Sequence, residues 1–198
     1  AVHYLVVDAT ANVKQPAEAA PAYTVVPTMT PPAIDGKLND EVWKHATFLH
    51  LFDFLASTTD AKIKADPATR FAISADDKHL YVGFHCEDTN VKKLVKTVTT
   101  RDGKLWNGDN VEIFLNFDRG GHSFGRVMLG ASGALFDAAY LQHGLKEHRW
   151  FNVKGLEGAT DIQADHWSGE LAIPFAGLAM KPGAVGNWPI NICRASRT

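Results

Sequence analysis

The chain has 198 residues, of which 45% are hydrophobic and 21% charged, enough for one globular domain with a hydrophobic core. Its formal net charge is −2, and no basic stripe or charge block occurs, which argues against nucleic acid or an anionic membrane as a partner. No apolar run approaches the roughly 20 residues that span a bilayer.

The N-terminal part of the chain predicts a linker followed by the start of a domain. Residues 1–21 hold a short apolar run and then a proline- and alanine-rich stretch with little to bury. We therefore expect the domain to span residues 22–198. Pro31–Gly36 predicts a turn, and a short helix with Trp43 on its inward face is expected to follow.

The rest of the chain reads mainly as short strands separated by turns rich in Gly, Asp and Pro. The predicted strands are Tyr23–Val26, Leu49–Leu55, Arg70–Ser74, His79–Cys86, Asn110–Phe117, a strand returning through Arg126, Ala134–Tyr140, Trp150–Val153, Thr160–Ala164, Trp167–Ile173 and Asn187–Arg194. A single helical turn is expected at Phe175–Met180. This spacing predicts an all-β fold, a jelly-roll-like antiparallel β-sandwich of about ten strands with one or two short helices.

The two cysteines favour buried free thiols over a disulfide. Cys86 lies on the apolar face of its strand, whereas Cys193 points away from the apolar face of the last strand. Opposite faces are poorly placed for a bridge. Neither cysteine has a second Cys or His at a recognised metal-ligand spacing.

The stretch KLWNGDNVEIFLNFDRGGHSFGR, residues 104–126, predicts a binding surface. Its first strand alternates, and the face that carries Glu112 is polar, which a core face would not be. A turn after this strand places Arg126 opposite or diagonal to Glu112. Trp106 then lies at the mouth of the surface. An aromatic plate beside a carboxylate and a guanidinium is the chemistry of a saccharide site.

Five blocks of the sequence together resemble carbohydrate-binding module family 9. They are AIDGKLNDEVWKHA, DDKHLYVGFHCED, LWNGDNVEIFLNF, WSGELAIPFAGL and NWPINICR, in the order and spacing of that family. The resemblance implies a β-sandwich that binds sugar without cleaving it, is often appended to secreted polysaccharide-degrading enzymes, and often holds structural calcium. A secreted, cell-surface or periplasmic location is expected accordingly. It implies that Trp106 stacks on the sugar and that Glu112 and Arg126 bond its hydroxyls.

The sequence departs from the family at its C-terminal end. The family site holds the sugar between two tryptophans, the second of which follows the last block, whereas this sequence stops at Thr198. We therefore expect that the chain is truncated, that another residue faces Trp106, or that the ligand differs. Trp150, in an irregular charged region, is a candidate second plate.

Several candidate residues also have a structural reading. Glu112 and Arg126 are as well explained by a structural ion pair, and the two roles are compatible because a paired arginine is held rigidly. Asp109 is a candidate contact whose position before the strand favours bonds that fix the loop. Asn191, on the polar side of the last strand, is a further candidate contact.

Two other functions remain open. Related sandwich domains bind haem b for electron transfer, and Met128 is a candidate axial ligand. An assembly module of a larger surface protein is a second alternative. Catalysis is not expected, because no second acid accompanies Glu112 on its face. The acidic residues Asp76, Asp77, Glu87 and Asp88 are candidate calcium ligands without EF-hand spacing.

Overall fold

The predicted β-sandwich is confirmed. The computed structural model describes residues 2–5, 23–53, 68–116, 123–141, 146–148, 151–178 and 188–197. These residues form two sheets packed on a shared hydrophobic core, with one α-helix and three 3₁₀ turns. No helix in these ranges has the length and apolar character of a membrane span.

Within these ranges thirteen strands make up the two sheets, and they are numbered in chain order. Their bounds are β1 Val2–Leu5, β2 Val26–Pro27, β3 Leu49–His50, β4 Phe52–Asp53, β5 Thr69–Ala75, β6 His79–Glu87, β7 Asn110–Asn116, β8 Phe124–Gly130, β9 Leu135–Leu141, β10 Lys146–His148, β11 Glu157–Ile162, β12 His166–Pro174 and β13 Ile190–Ala195. Sheet A has the antiparallel order β10–β9–β8–β7–β13–β1–β4. Sheet B has the order β11–β12–β6–β5–β2, and β3 also pairs with β5. Sheet B is antiparallel except for the two-residue pairing of β2 with β5.

The helical segments are short. Helix α1 spans Glu41–His45, with Asp40 at its N-cap position and Trp43 buried as predicted. The 3₁₀ turns are Val91–Lys93, Leu105–Asn107 and Phe175–Leu178. The last of these falls where the sequence predicted a single helical turn.

The predicted strand pattern differs from the structure in several places, including the bounds of β2 and β11. The apolar run that begins at Leu49 is not one strand, because β3 joins sheet B and β4 joins sheet A, with buried Leu51 between them. Residues 151–153 are not a strand, and sheet A is instead extended by β10. Val2–Leu5, from the segment assigned ahead of the domain, pairs with β13 and β4, and residues 6–22 lie outside the described ranges.

The core between the sheets also contains a buried charge, on Arg194 of β13. Its Nη1 donates to Thr69 Oγ1 at 3.1 Å and to the Glu87 carbonyl at 2.9 Å, and its Nη2 donates to Asp88 Oδ2 at 3.1 Å. Arg194 and Asp88 are almost entirely buried, so their charges depend on each other for compensation. This pair ties β13 of sheet A to the β5–β6 side of sheet B.

A buried carboxylate anchors a covering segment to the outer face of sheet B. Glu170 of β12 accepts hydrogen bonds from Trp43 Nε1 at 2.6 Å, from the Gly36 N–H at 2.6 Å and from the Asp35 N–H at 3.0 Å. Burial raises the pKa of Glu170, although these three donors act in the opposite direction. Residues 34–48 thereby close a second, smaller apolar cluster around Trp43.

We predict that Gly36→Ala strongly destabilises the domain. Gly36 has φ of +86°, and a Cβ there would lie 2.6 Å from the backbone N of Asp161 and from the carbonyl carbon of Thr160. The free energy of unfolding should fall by at least about 2 kcal/mol in urea titrations. Gly133→Ala is the matched control, since Gly133 has φ of +82° but its Cβ would lie 3.7 Å from Thr160 Oγ1, an ordinary contact distance. Equal losses for the two variants would contradict the clash at Gly36.

Two histidines stack on the outer face of sheet B. The rings of His85 and His166 lie 4.3 Å apart at 27°, and His166 Nδ1 lies 2.7 Å from Asp165 Oδ1. Burial lowers the pKa of His85 from 6.5 to about 4, assisted by the positive charge of Arg70, while Asp165 acts weakly in the opposite direction. His85 is therefore neutral in the folded protein at pH 7.

We predict that His85 makes the domain less stable in mild acid. Between pH 6.5 and about 4 the unfolded chain binds a proton at His85 that the folded chain does not, so stability falls as the pH falls through this window. Urea titrations at pH 7 and pH 4.5 should show a smaller difference in His85→Gln than in the wild type. Lys92→Gln, at an exposed position of the Val91–Lys93 turn, is the control and should keep the wild-type difference. An unchanged difference in His85→Gln would contradict the prediction.

Candidate functional site

The outer face of sheet A carries the predicted site, and the strand register places its residues. Val111, Ile113 and Leu115 of β7 point into the core, so Glu112 and Phe114 point outward. Glu112 pairs with Met128 and Phe114 pairs with Arg126, which puts Arg126 diagonal to Glu112 on the same face. The predicted geometry of the Glu112–Arg126 pair is confirmed.

Trp106 is held beside this face by a well-fixed loop. It lies in the 3₁₀ turn at residues 105–107, and its half-buried ring packs edge-on against Phe136, with ring centres 5.6 Å apart and planes at 88°. Arg197 Nη2 donates to the Trp106 carbonyl at 2.8 Å. The side-chain amide of Asn110 donates through Nδ2 to the Leu105 carbonyl at 3.0 Å. The indole is therefore positioned by contacts on both sides of its backbone.

Gly108 allows the Trp106 loop to pass close to a neighbouring segment. A Cβ at Gly108 would lie 2.5 Å from the Val95 carbonyl oxygen, so a larger residue would push the loop outward. The next residue completes the attachment, because the Asp109 N–H donates to that carbonyl at 2.9 Å. The position of the Trp106 ring thus depends on the absence of a side chain at Gly108.

Arg126 and Glu112 form a close ion pair. Arg126 Nε and Nη2 both approach Glu112 Oε2, at 2.9 and 2.7 Å, and the two side chains are 18% and 12% exposed. Within the described residues, Glu112 Oε1 has no hydrogen-bond partner. Two of the five guanidinium N–H groups are likewise unpaired there. The pair is held rigidly and keeps one acceptor and two donors for a further group.

Three aromatic rings surround the Arg126 guanidinium. Its central carbon lies 5.9 Å from the ring centre of Trp106, 5.7 Å from that of Phe114 and 5.8 Å from that of Phe136. Each distance is within cation–π range. Burial alone would lower the pKa of Arg126, but the Glu112 carboxylate outweighs it and raises the pKa above its usual value. The guanidinium is therefore permanently charged and fixed in orientation.

The hydrogen-bonded chain continues to two residues that the sequence analysis did not single out. Arg126 Nη1 donates to the Tyr140 hydroxyl at 3.4 Å, and that hydroxyl donates to Glu147 Oε1 at 2.7 Å. Tyr140 and Glu147 are direct partners in the β9–β10 register. The alternation of Phe136, Ala138 and Tyr140 was a usable signal for Tyr140, whereas the three-residue strand of Glu147 gave none.

The other predicted contact residues occupy different positions. Asp109 is almost fully buried, and its carboxylate accepts the Val95 N–H at 2.6 Å and the Arg197 N–H at 3.0 Å, so it fixes the loop. Asn191 is half-buried opposite Phe114, and its Oδ1 is buried without a hydrogen-bond partner among the described residues. Trp150 lies outside the described ranges.

The candidate ligands for haem and calcium are dispersed. Met128 is fully buried, in a cluster with Phe136. Asp76 lies before β6 and already accepts three hydrogen bonds, whereas Asp88 follows β6 and pairs with Arg194. Across the described ranges, no three His, Cys, Asp or Glu side chains converge as metal ligands.

A cavity of about 660 Å³ opens on the opposite side of the molecule, over the outer face of sheet B. It lies between the segment around Met29 and the β5–β6 turn. Tyr81 at its floor is buried and donates its hydroxyl to Asp76 at 2.6 Å, so it offers no open aromatic face. The aromatic and hydroxyl-binding groups suited to a saccharide are instead on the outer face of sheet A.

We predict strong coupling between Arg126 and Glu112. A double-mutant cycle with Arg126→Met and Glu112→Gln should give a coupling free energy of about 1–2 kcal/mol in urea titrations, because the pair is largely shielded from water. The exposed pair Lys44–Glu41 on α1 is the control and should couple less. Coupling no larger than in the control would show that the Arg126–Glu112 contact is not a fixed pair.

Two solved structures share the fold of this chain. A candidate carbohydrate-binding protein from Bacteroides uniformis is 12% identical, with a TM-score of 0.67, and the match covers 87% of this chain and 82% of that one. A carbohydrate-binding module of family 9 from Caldicellulosiruptor kristjanssonii, in complex with glucose, is 17% identical, with a TM-score of 0.54 and coverage of 86% and 84%. At these identities the likeness concerns the fold.

No curated protein matches the sequence. The family described as "Carbohydrate family 9 binding domain-like" matches residues 34–183, which include β3–β12 and the Trp106, Glu112 and Arg126 positions. That family consists of non-catalytic binding modules. The match covers most of the chain, and the chain therefore belongs to the family 9-like carbohydrate-binding domains.

Proposed function

We propose that the outer face of sheet A binds a saccharide, with Trp106 as the stacking plate and Glu112 and Arg126 as the hydroxyl-binding pair. The observation that carries the proposal is the fixed Arg126–Glu112 pair next to a half-buried indole. A pyranose presents C–H groups on its faces and hydroxyls on its rim. An aromatic plate beside planar polar groups complements both.

The atoms that remain unpaired suit sugar hydroxyls. A hydroxyl both donates and accepts, so it can donate to Glu112 Oε1 and accept from an unused Arg126 N–H at the same time. Because the pair is already oriented by Tyr140 and by three aromatic rings, binding immobilises little of the protein. One stacked ring and a few solvent-accessible hydrogen bonds give an affinity in the micromolar range or weaker.

The glucose complex of the Caldicellulosiruptor kristjanssonii module supports a saccharide as the ligand class. On this proposal the domain is one module of a larger secreted protein that acts on polysaccharide. A module of modest affinity would keep such a protein close to its insoluble substrate. A full-length gene product confined to the cytoplasm would contradict this setting.

We predict that Trp106→Ala strongly weakens saccharide binding and leaves the domain folded. The wild type is first titrated calorimetrically with a panel of plant, algal and bacterial polysaccharides, and Trp106→Ala should weaken binding of the positive ones at least about tenfold. Circular dichroism and urea titration report on folding. Phe48→Ala is the matched control, since Phe48 is a half-buried ring contacted by an arginine on the other sheet. Binding to none of the panel, or unchanged binding by Trp106→Ala, would refute the proposal.

A further inference from the structure

The polar side chains on the outer face of sheet A form a continuous ladder that extends beyond the Trp106–Glu112–Arg126 group. Glu112 of β7, Arg126 of β8, Tyr140 of β9 and Glu147 of β10 are joined in sequence by hydrogen bonds of 2.7 to 3.4 Å. Each lies on a different strand, and the strands are adjacent. Three strand spacings make the ladder about 14 Å long, which is more than one pyranose ring covers.

The far end of the ladder is accessible and ordered. Glu147 is exposed and Tyr140 is half-buried. The Tyr140 ring stacks on Phe124 with centres 4.9 Å apart and planes at 12°, which fixes the direction of its hydroxyl. Burial raises the pKa of Tyr140, and so does the bond to Glu147, whereas the bond from Arg126 acts in the opposite direction; the net shift is upward, and the hydroxyl remains a donor at neutral pH.

The residue opposite Arg126 leaves space for this arrangement. Ala138 pairs with Arg126 across β8 and β9, so no large side chain stands between the guanidinium and Tyr140. Arg126 is thus the shared member of two polar groups, one with Glu112 beside Trp106 and one with Tyr140 and Glu147. A ligand that spans both groups would contact Arg126 at its centre.

We infer that Tyr140 and Glu147 form a second saccharide subsite, so that the domain binds an oligosaccharide lying across strands β7 to β10. This inference rests on the proposed function of the Trp106 group and extends it. Trp106, Glu112 and Arg126 hold one ring, and the next unit along the chain reaches Tyr140 and Glu147. Specificity for chain length is then set by residues of β9 and β10.

The test compares ligands of different length. Glucose and its β-1,4-linked trisaccharide form the first probe pair, followed by the mono- and trisaccharide of each polysaccharide that binds in the panel. The wild type should bind the trisaccharide of its ligand at least about tenfold more tightly than the monosaccharide. Glu147→Gln should weaken trisaccharide binding about five- to tenfold and monosaccharide binding less than about twofold.

Further variants separate the two subsites. Trp106→Ala should weaken both probes. Tyr140→Phe should weaken both as well, but the trisaccharide more than the monosaccharide, because Tyr140 also orients Arg126. Glu157→Gln, an exposed acid at the start of β11 in sheet B, is the matched control and should change neither affinity. Equal wild-type affinities for the two lengths, or equal losses of both probes in Glu147→Gln, would overturn the second subsite and leave the proposed function intact. Absence of binding by any panel saccharide would overturn the proposed function itself.

Discussion

The buried contact between Arg194 and Asp88 is the constraint on which the rest of the structure depends. Both residues are charged and lie in the core between the sheets, so the guanidinium has to be matched by fixed acceptors. Asp88, Thr69 and the Glu87 carbonyl provide them, all from sheet B or its edge. Strand β13 can therefore occupy only one position relative to the opposite sheet.

The residues that follow Arg194 connect the fixed position of β13 to the Trp106 loop at the surface. Three positions after Arg194, Arg197 bonds Asp109 through its backbone and the Trp106 carbonyl through its side chain. The orientation of the indole is thus linked to the core through a short, hydrogen-bonded path. On the opposite sheet, the buried carboxylate of Glu170 has a similar role, because it holds the Trp43 segment on the outer face of sheet B.

Much of the fold and the centre of the site could be predicted from local pattern. The alternation in β7 assigned Glu112 to the outer face because the neighbouring positions are filled by Val, Ile and Leu, and the antiparallel pairing expected with the next strand then placed Arg126 on the same face. Glu170 was not singled out from the sequence, because an acid in an alternating strand is ordinarily solvent-facing. Its burial arises from Trp43, which is 127 positions away in the sequence, and a strand pattern contains no information about such a contact.

The positions of the shortest strands could not be predicted, because two or three residues are too few to show an alternating pattern. The apolar run from Leu49 gave no sign that its two halves join different sheets. Strand β10 has three residues, so neither its pairing nor the facing of Glu147 could be read from alternation. The site was therefore predicted on β7 and β8, and its extension to β9 and β10 required the register of the folded sheet.

The two-faced character of β7 has a consequence for how this domain can diverge. Substitutions at outward positions can alter ligand preference while the core residues between them stay the same. An insertion or deletion of one residue within the strand would instead exchange the two faces, so that Glu112 would enter the core as Ile113 left it. Homologous domains should therefore vary freely in residue type on this face but keep the strand length constant, and new specificities should arise by replacement of side chains.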